Sequence, residues 1–324
     1  MMMRAVQFDE YGDPGGVLRM VELDDPEPGP GEVRARITLR PINPADVLFV
    51  QGRYGRRARF PSPVGFEAAG VVDRCGPGVT LTPGTRVALD GLGTWQDYAV
   101  VPEGSVVALP AGVTDEAACQ MMINPFTALL LLRAANLAPG DWLLLSAGAS
   151  AVARMVLKEA TKRGARCVSV VRHGRHAEEL ADLGAKVVHG TGERFAEQVR
   201  EATKGEGAAV ALDAVGGPLG ARLTGCLRSG GRLIVYGMLS GEPVPVAPAD
   251  LVFRTVTVEG FWLPERLGRL SREERDELAT AVLRRLESGD LAAPIEAVYS
   301  LADFDRALAH DGQSDRSGKI LLAG

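Results

Sequence analysis

Lysine is scarce in this chain of 324 residues, with 5 against 31 arginines, and acidic groups outnumber basic ones to leave a net charge of -5. No broad positive field is available to neutralise phosphates, which excludes nucleic-acid binding as the main role. The arginine bias reads as codon usage of a GC-rich genome and points to a bacterium. Cysteine is equally sparse: Cys75, Cys119, Cys167 and Cys226 stand far apart, with no Cys-x-x-Cys pair and no histidine at ligand spacing. That pattern excludes a disulfide scaffold and a structural zinc site, and predicts buried thiols acting as small apolar residues. No apolar run approaches the ~18–20 residues that cross a bilayer. The opening Met1-Met2-Met3-Arg4 runs directly into strand-like Ala5–Phe8, without the apolar stretch of a signal peptide, so a cytoplasmic protein is expected.

Hydrophobic residues make up 46% and charged residues 24%, with 39 glycines and 20 prolines, which describes an ordinary folded protein long enough for two domains. Up to about residue 110 short apolar runs are punctuated by Gly and Pro: Ala5–Phe8, Val33–Leu39, Gly65–Asp73, Arg86–Leu89, Trp95–Val101 and Val106–Leu109. This spacing predicts a β-rich sandwich or barrel. Helices are expected over Thr114–Met122, with Thr114 as cap, and Pro125–Ala135.

From Trp142 the rhythm becomes strand, helix, strand. Strands are predicted at Trp142–Leu145, Cys167–Val171, Lys186–His189, Ala208–Leu212, Arg232–Tyr236 and Thr255–Trp262, and helices at Ala151–Arg163, His176–Leu183, Glu193–Thr203 and Leu219–Leu227. Six such strands suit an α/β Rossmann domain with a doubly wound parallel sheet. Ser271 and Glu274 form a capping box that opens a helix to about Glu287. Strand-like Ile295–Tyr299 and Lys319–Leu322 close the chain, which is expected to return to the first domain. Boundaries are set at 1–122 with 295–324, and at 123–294.

After Trp142–Leu145 come Ser146-Ala147-Gly148-Ala149-Ser150-Ala151-Val152-Ala153 and a helix. Small residues at such a turn let the backbone approach a pyrophosphate at the helix start, although only Gly148 of the G-x-G-x-x-G fingerprint is kept. Where an acidic residue would accept hydrogen bonds from an adenosine ribose, the chain has Arg172-His173-Gly174-Arg175. Guanidinium groups suit a 2′-phosphate, so NADPH is favoured over NADH. The four histidines, His173, His176, His189 and His310, are scattered and given no chemistry.

These residues carry a resemblance. Nearly every element from Arg4 to Leu322 is similar to the medium-chain dehydrogenase/reductase superfamily, which implies a GroES-like catalytic domain split around the Rossmann domain. Where metal-using members place Cys and Gly-His-Glu, this chain has Asn43-Pro44-Ala45-Asp46 and Gly65-Phe66-Glu67, so no metal is expected. Ile42–Asp46, Gln51-Gly52-Arg53-Tyr54-Gly55, Gly91-Leu92-Gly93-Thr94-Trp95, Asn124-Pro125-Phe126-Thr127-Ala128, Tyr236-Gly237-Met238 and Gly260-Phe261-Trp262-Leu263 resemble mitochondrial-type trans-2-enoyl thioester reductases. Quinone oxidoreductases similar to zeta-crystallin share the fold and less of these motifs.

The resemblance implies a catalytic Tyr54, with Asn124 at the nicotinamide. It assigns Gly148, Ala149, Ser150, Ala151, Val152, Arg172, His173, Gly174 and Arg175 to the phosphates and adenosine. Tyr236, Gly237, Met238, Leu239, Phe261, Trp262, Leu263 and Lys319 would close around the cofactor. Asn43 and Trp95 are the residues named for the substrate pocket, Asn43 reading also as a turn and N-cap with Asp46 and Trp95 as core or pocket wall. Departures are Ser150 and Ala151, where a glycine is common, and Leu129, where a tyrosine often follows Thr-Ala. Reduction of an enoyl thioester needs a hydride at the β-carbon and a proton at the α-carbon, and a phenol that stays protonated at neutral pH suits the second task. Arg53, Arg56, Arg57 and Arg59 around Tyr54 offer a positive patch for coenzyme A or an acyl carrier protein, or form a solvated loop. Expected partners are an acyl thioester or a quinone and a second copy of the chain through Thr255–Trp262, with no nucleic acid or membrane. A cofactor-binding sensor or structural protein is the non-enzymatic alternative.

Overall fold

The computed structural model describes Met2–Gln313 and Arg316–Gly324. Its contacts divide the chain into two units, Met1–Pro125 with Glu277–Gly324, and Phe126–Asp276. The second division falls inside the helix Arg272–Glu287, upstream of the 294/295 boundary set from the sequence. The C-terminal part of that helix buries Val282 and Leu286, and Glu287 lies against Gly112 of the first unit.

In the first unit, β1 (Met2–Phe8) pairs antiparallel with β2 (Arg19–Asp24) and β4 (Ser62–Pro63). A seven-stranded sheet has the order β15 (Ile295–Ser300), β16 (Lys319–Ala323), β3 (Glu32–Pro41), β5 (Glu67–Cys75), β6 (Arg86–Asp90), β8 (Val106–Ala108), with β7 (Tyr98–Pro102) also on β3. The last strand of the chain therefore docks beside an early one, with Leu321 opposite Pro41 and Leu322 opposite Arg40. Val6, Phe8, Ile42, Phe49, Trp95 and Leu322 form one core, and Val33, Ala35, Val72, Val87 and Leu89 another.

The second unit carries β9 (Trp142–Leu145), β10 (Arg166–Val171), β11 (Ala185–His189), β12 (Ala208–Asp213), β13 (Leu227–Val235) and β14 (Thr257–Gly260). They form one parallel sheet in the order β11-β10-β9-β12-β13-β14. Every residue of β9 and of β12 is buried, as expected of parallel strands covered on both faces. The order reverses between β9 and β12, the switch point where open α/β sheets bind ligands outside the carboxyl ends of their strands.

Several elements are shorter than the sequence suggests. Thr114 does cap a helix, accepting from the Ala117 N–H, but the helix ends at Ala118. The final Rossmann strand spans Thr257–Gly260, short of Trp262 at one end and Thr255 at the other. Thr255 has a φ of 51°, which breaks extended backbone. Ser271 and Glu274 close their capping box in both directions. Cys119, Cys167 and Cys226 are buried thiols, whereas Cys75 is only half-buried. No described helix is long and apolar enough to cross a membrane.

Candidate functional site

In the second unit the turn after β9 is held by its own small residues. Ala147 takes a φ of 45°, and the Gly148 N–H donates to the Val170 carbonyl of β10 at 2.8 Å. A Cβ on Gly148 would lie 2.8 Å from the Ser169 Cβ, so this glycine is required by the packing of the turn itself. Ser150 caps the helix Ala151–Lys162 through its hydroxyl, which accepts from the Ala153 N–H. Helix geometry leaves the N–H groups of Ala151 and Val152 without intrahelical acceptors, pointing out of a positive helix end.

The neighbouring strand ends flank this turn. Ser146 donates to the Asp213 carboxylate at 2.7 Å and accepts from the Ala214 N–H, while Asp213 also accepts from Val215 and Gly216. One buried carboxylate thus fixes the loop after β12. Tyr236 and Gly237 follow β13, and a Cβ on Gly237 would stand 2.5 Å from the Ala214 carbonyl oxygen. The Tyr236 hydroxyl hydrogen-bonds Ser150; burial and the Asp213 charge raise its pKa above the ordinary phenol value. Met238, Leu239 and Trp262 are exposed, Phe261 is buried, and Leu263 begins a short helix.

Arg172, His173, Gly174 and Arg175 emerge exposed after β10. Directly beyond them, His176 Nδ1 lies 3.1 Å from the guanidinium of buried Arg154, which also pairs with Glu179 at 2.7 Å. The backbone donors, the absence of side chains larger than a hydroxyl at residues 147–151 and the two exposed arginines fit a phosphorylated dinucleotide.

In the first unit the sequence-named residues fall into two groups. Asn43 and Lys319 belong to a buried polar cluster, and buried Asn124 follows a residue that the cluster holds. Asn43 precedes the helix Pro44–Val50, and its backbone N–H donates to Asp46 Oδ2 at 2.8 Å. Its side-chain amide donates to Glu67 Oε1 at 2.8 Å and accepts from Lys319 Nζ at 2.6 Å, while Nζ also donates to the Ile42 carbonyl. Glu67 Oε2 accepts from the N–H of Ile123, the residue before Asn124 and its helix Asn124–Ala135. Burial pushes the Glu67 carboxyl up and the Lys319 ammonium down, against their mutual attraction.

Tyr54 makes the second group. It follows the helix Pro44–Val50, with its N–H on the Leu48 carbonyl and its half-buried ring 5.3 Å from that of Phe66. Arg53, Arg56, Arg57 and Arg59 are exposed around it. Trp95, expected beside the substrate, is 1% exposed within the apolar core, and its Nε1 has no hydrogen-bond partner.

Known proteins are similar to this chain along its length. Residues 29–111 match the alcohol dehydrogenase GroES-like domain and residues 151–284 match the zinc-binding dehydrogenase family. Mitochondrial enoyl-[acyl-carrier-protein] reductase of Bos taurus is 31% identical over 99% of this chain and 88% of its own length, and that of Xenopus tropicalis 32% identical over 98% and 95%. The chain belongs to the medium-chain dehydrogenase/reductase superfamily. Among solved structures of this superfamily, Escherichia coli quinone oxidoreductase complexed with NADPH superposes with a TM-score of 0.91 at 26% identity, covering 99% of this chain and 100% of that one. A Pseudomonas syringae quinone oxidoreductase gives 0.90 at 28% identity, with coverage of 99% and 100%.

As a medium-chain dehydrogenase/reductase the protein is an oxidoreductase. Although one family description names zinc, no three His, Cys, Asp or Glu side chains among the described residues come together as a metal-binding group. Sequence reasoning missed Glu67 and Asp213 as organisers of the two units. Glu67 carried a signal, since a carboxylate inside the apolar run Gly65–Val72 needs a buried partner. His310 also has neighbours no sequence spacing announced: its Nδ1 lies 2.9 Å from the Tyr299 hydroxyl and its Nε2 3.4 Å from Glu296.

Proposed function

We propose that this oxidoreductase uses NADPH, without zinc, to reduce activated carbon–carbon double bonds, with trans-2-enoyl thioesters as its substrates. The observation that carries this reading is the similarity to enoyl reductases along 98–99% of the chain, and Tyr54 lies in a stretch, Gln51–Gly55, that resembles theirs. The amides of residues 149–152 and Arg172 to Arg175 would hold the cofactor's phosphates, and Asn124 the nicotinamide end; when bound, NADPH supplies the hydride for the β-carbon. The chain's own chemical task is the proton. The Tyr54 phenol donates it to the α-carbon as enolate charge develops on the thioester oxygen, and solvent restores it.

Exposed Arg53, Arg56, Arg57 and Arg59 suit the phosphates of coenzyme A or an acidic acyl carrier protein. A homodimer is proposed through β14, the edge strand of its sheet, where Val258 is 40% exposed and the adjoining helix Pro248–Phe253 leaves Phe253 82% exposed.

Quinone reduction is the second reading, favoured by the superposition on two quinone oxidoreductases. Parallel assays with NADPH and either crotonyl-CoA or a simple benzoquinone separate the two. Crotonyl-CoA turnover with a kcat/KM well above that for the quinone is expected, and the reverse order would reassign the substrate. NADPH binding without turnover of either acceptor would favour a sensor.

A further inference from the structure

The buried cluster of Asn43, Glu67 and Lys319 converges on a single backbone N–H. Glu67, 1% exposed, spends one carboxylate oxygen on Asn43 Nδ2 at 2.8 Å and the other on Ile123 N–H at 2.9 Å. Asn43 cannot swing away, because its carbonyl oxygen accepts from Lys319 Nζ, itself anchored on the Ile42 carbonyl at 2.7 Å. The neutral amide donates to the carboxylate and accepts from the ammonium at once. Both oxygens of Glu67 are therefore fixed in direction, and with them the first turn of the helix that begins at Asn124.

Stability alone does not account for this arrangement. Buried ion pairs recover little more than their desolvation cost, and apolar replacements of similar volume serve a core as well or better. A carboxylate at a helix start satisfies an orphan donor and favours the positive helix end, and here it also fixes the residue that follows.

We infer that Glu67 is a positioning residue that, through Ile123, sets Asn124 for recognition of the nicotinamide end of the cofactor, with Asn43 and Lys319 holding Glu67 in place. The inference rests on the proposed contact between Asn124 and the nicotinamide. It assigns Glu67 no contact with cofactor or substrate.

The test is calorimetric binding of two ligands, NADPH and 2′-phospho-ADP-ribose, which lacks the nicotinamide, to wild type, Glu67→Gln, Asn124→Ala and the double variant. Glu67→Gln is expected to weaken NADPH binding about three- to tenfold while shifting the fragment less than about twofold, the scale of one well-aligned hydrogen bond. In the Asn124→Ala background the same substitution should cost nothing further. Equal weakening of both ligands, or a full loss retained in that background, overturns the inference while leaving the Asn124 assignment standing. Unchanged NADPH affinity in Asn124→Ala overturns that assignment and the inference with it. Should Glu67→Gln lack a cooperative thermal transition, Asn43→Ala, which releases Glu67 without removing its charge, takes its place in the same cycle with the same outcomes.

Discussion

Gly52 turns with a φ of 71° directly beneath the ring of Tyr11, so close that a Cβ would stand 2.8 Å from the ring carbon Cγ. The Tyr11 hydroxyl oxygen in turn accepts from the Ala58 N–H at 2.8 Å. One aromatic side chain thus braces both ends of the loop that carries Tyr54. Gly52→Ala combines left-handed strain with overpacking and is expected to destabilise the protein by about 2–4 kcal/mol. Tyr11→Phe leaves the Ala58 amide without this acceptor and should cost about 0.5–1.5 kcal/mol. Urea denaturation measures both, and equal midpoints for wild type and Gly52→Ala would show that the loop yields freely.

Tyr54→Phe removes only the hydroxyl. Turnover of crotonyl-CoA should drop by about 10²–10⁴-fold, the scale of a lost general acid, while the dissociation constant for NADPH stays within twofold of wild type. An unaltered kcat would move proton donation to water or another group.

Arg172 stands exposed after β10, where a ribose 2′-phosphate would meet a guanidinium. Arg172→Asp should raise KM for NADPH by about tenfold or more and leave that for NADH nearly unchanged, since only the former loses a charge-assisted hydrogen bond. Steady-state kinetics with both cofactors decide, and a constant ratio of the two KM values removes Arg172 from cofactor selection.

Burial lifts the Asp46 carboxyl from its ordinary 3.8 to about 7, against the opposing pull of Lys319 and the Asn43 amide, with the Asp311 charge adding to the rise. The folded chain therefore holds this proton over a range in which the unfolded chain has released it. Stability tied to Asp46 is complete below about pH 4 and is lost as pH climbs through about 7. Asp46→Asn keeps an oxygen for the Asn43 N–H and has no proton to lose. Between pH 5 and pH 8 wild type should lose on the order of 2–4 kcal/mol relative to Asp46→Asn. Parallel pH profiles of the two urea midpoints would contradict this.

The parallel sheet was legible because β9 and residues 208–212 of β12 are uninterrupted apolar runs, and a strand buried on both faces needs nothing else to declare itself. β2 was not: its Arg19–Asp24 mixes charged and apolar residues on a sheet edge and offers no clean period of two. The helix Pro248–Phe253 hid behind a proline-rich stretch, because Pro at the first helical position looks like a loop residue when read alone. At the site, the turn at Gly148 and the arginines after β10 stood out through local chemistry. The Asn43, Glu67 and Lys319 cluster did not, since its members are 24 and 276 residues apart in sequence and meet only once β16 has docked on β3. Gly65 packs so tightly on the indole of Trp95 that a Cβ there would lie 2.2 Å away, which places this side chain in the core, one of the two roles its sequence left open.

Hydride transfer itself can be followed by mass spectrometry with NADPH deuterated at both C4 positions and crotonyl-CoA as acceptor. An enoyl thioester reductase returns butyryl-CoA carrying one deuterium at the β-carbon and a solvent-derived hydrogen at the α-carbon. Unlabelled product, label at the α-carbon, or no butyryl-CoA while a quinone is reduced by the same preparation, would contradict the assignment.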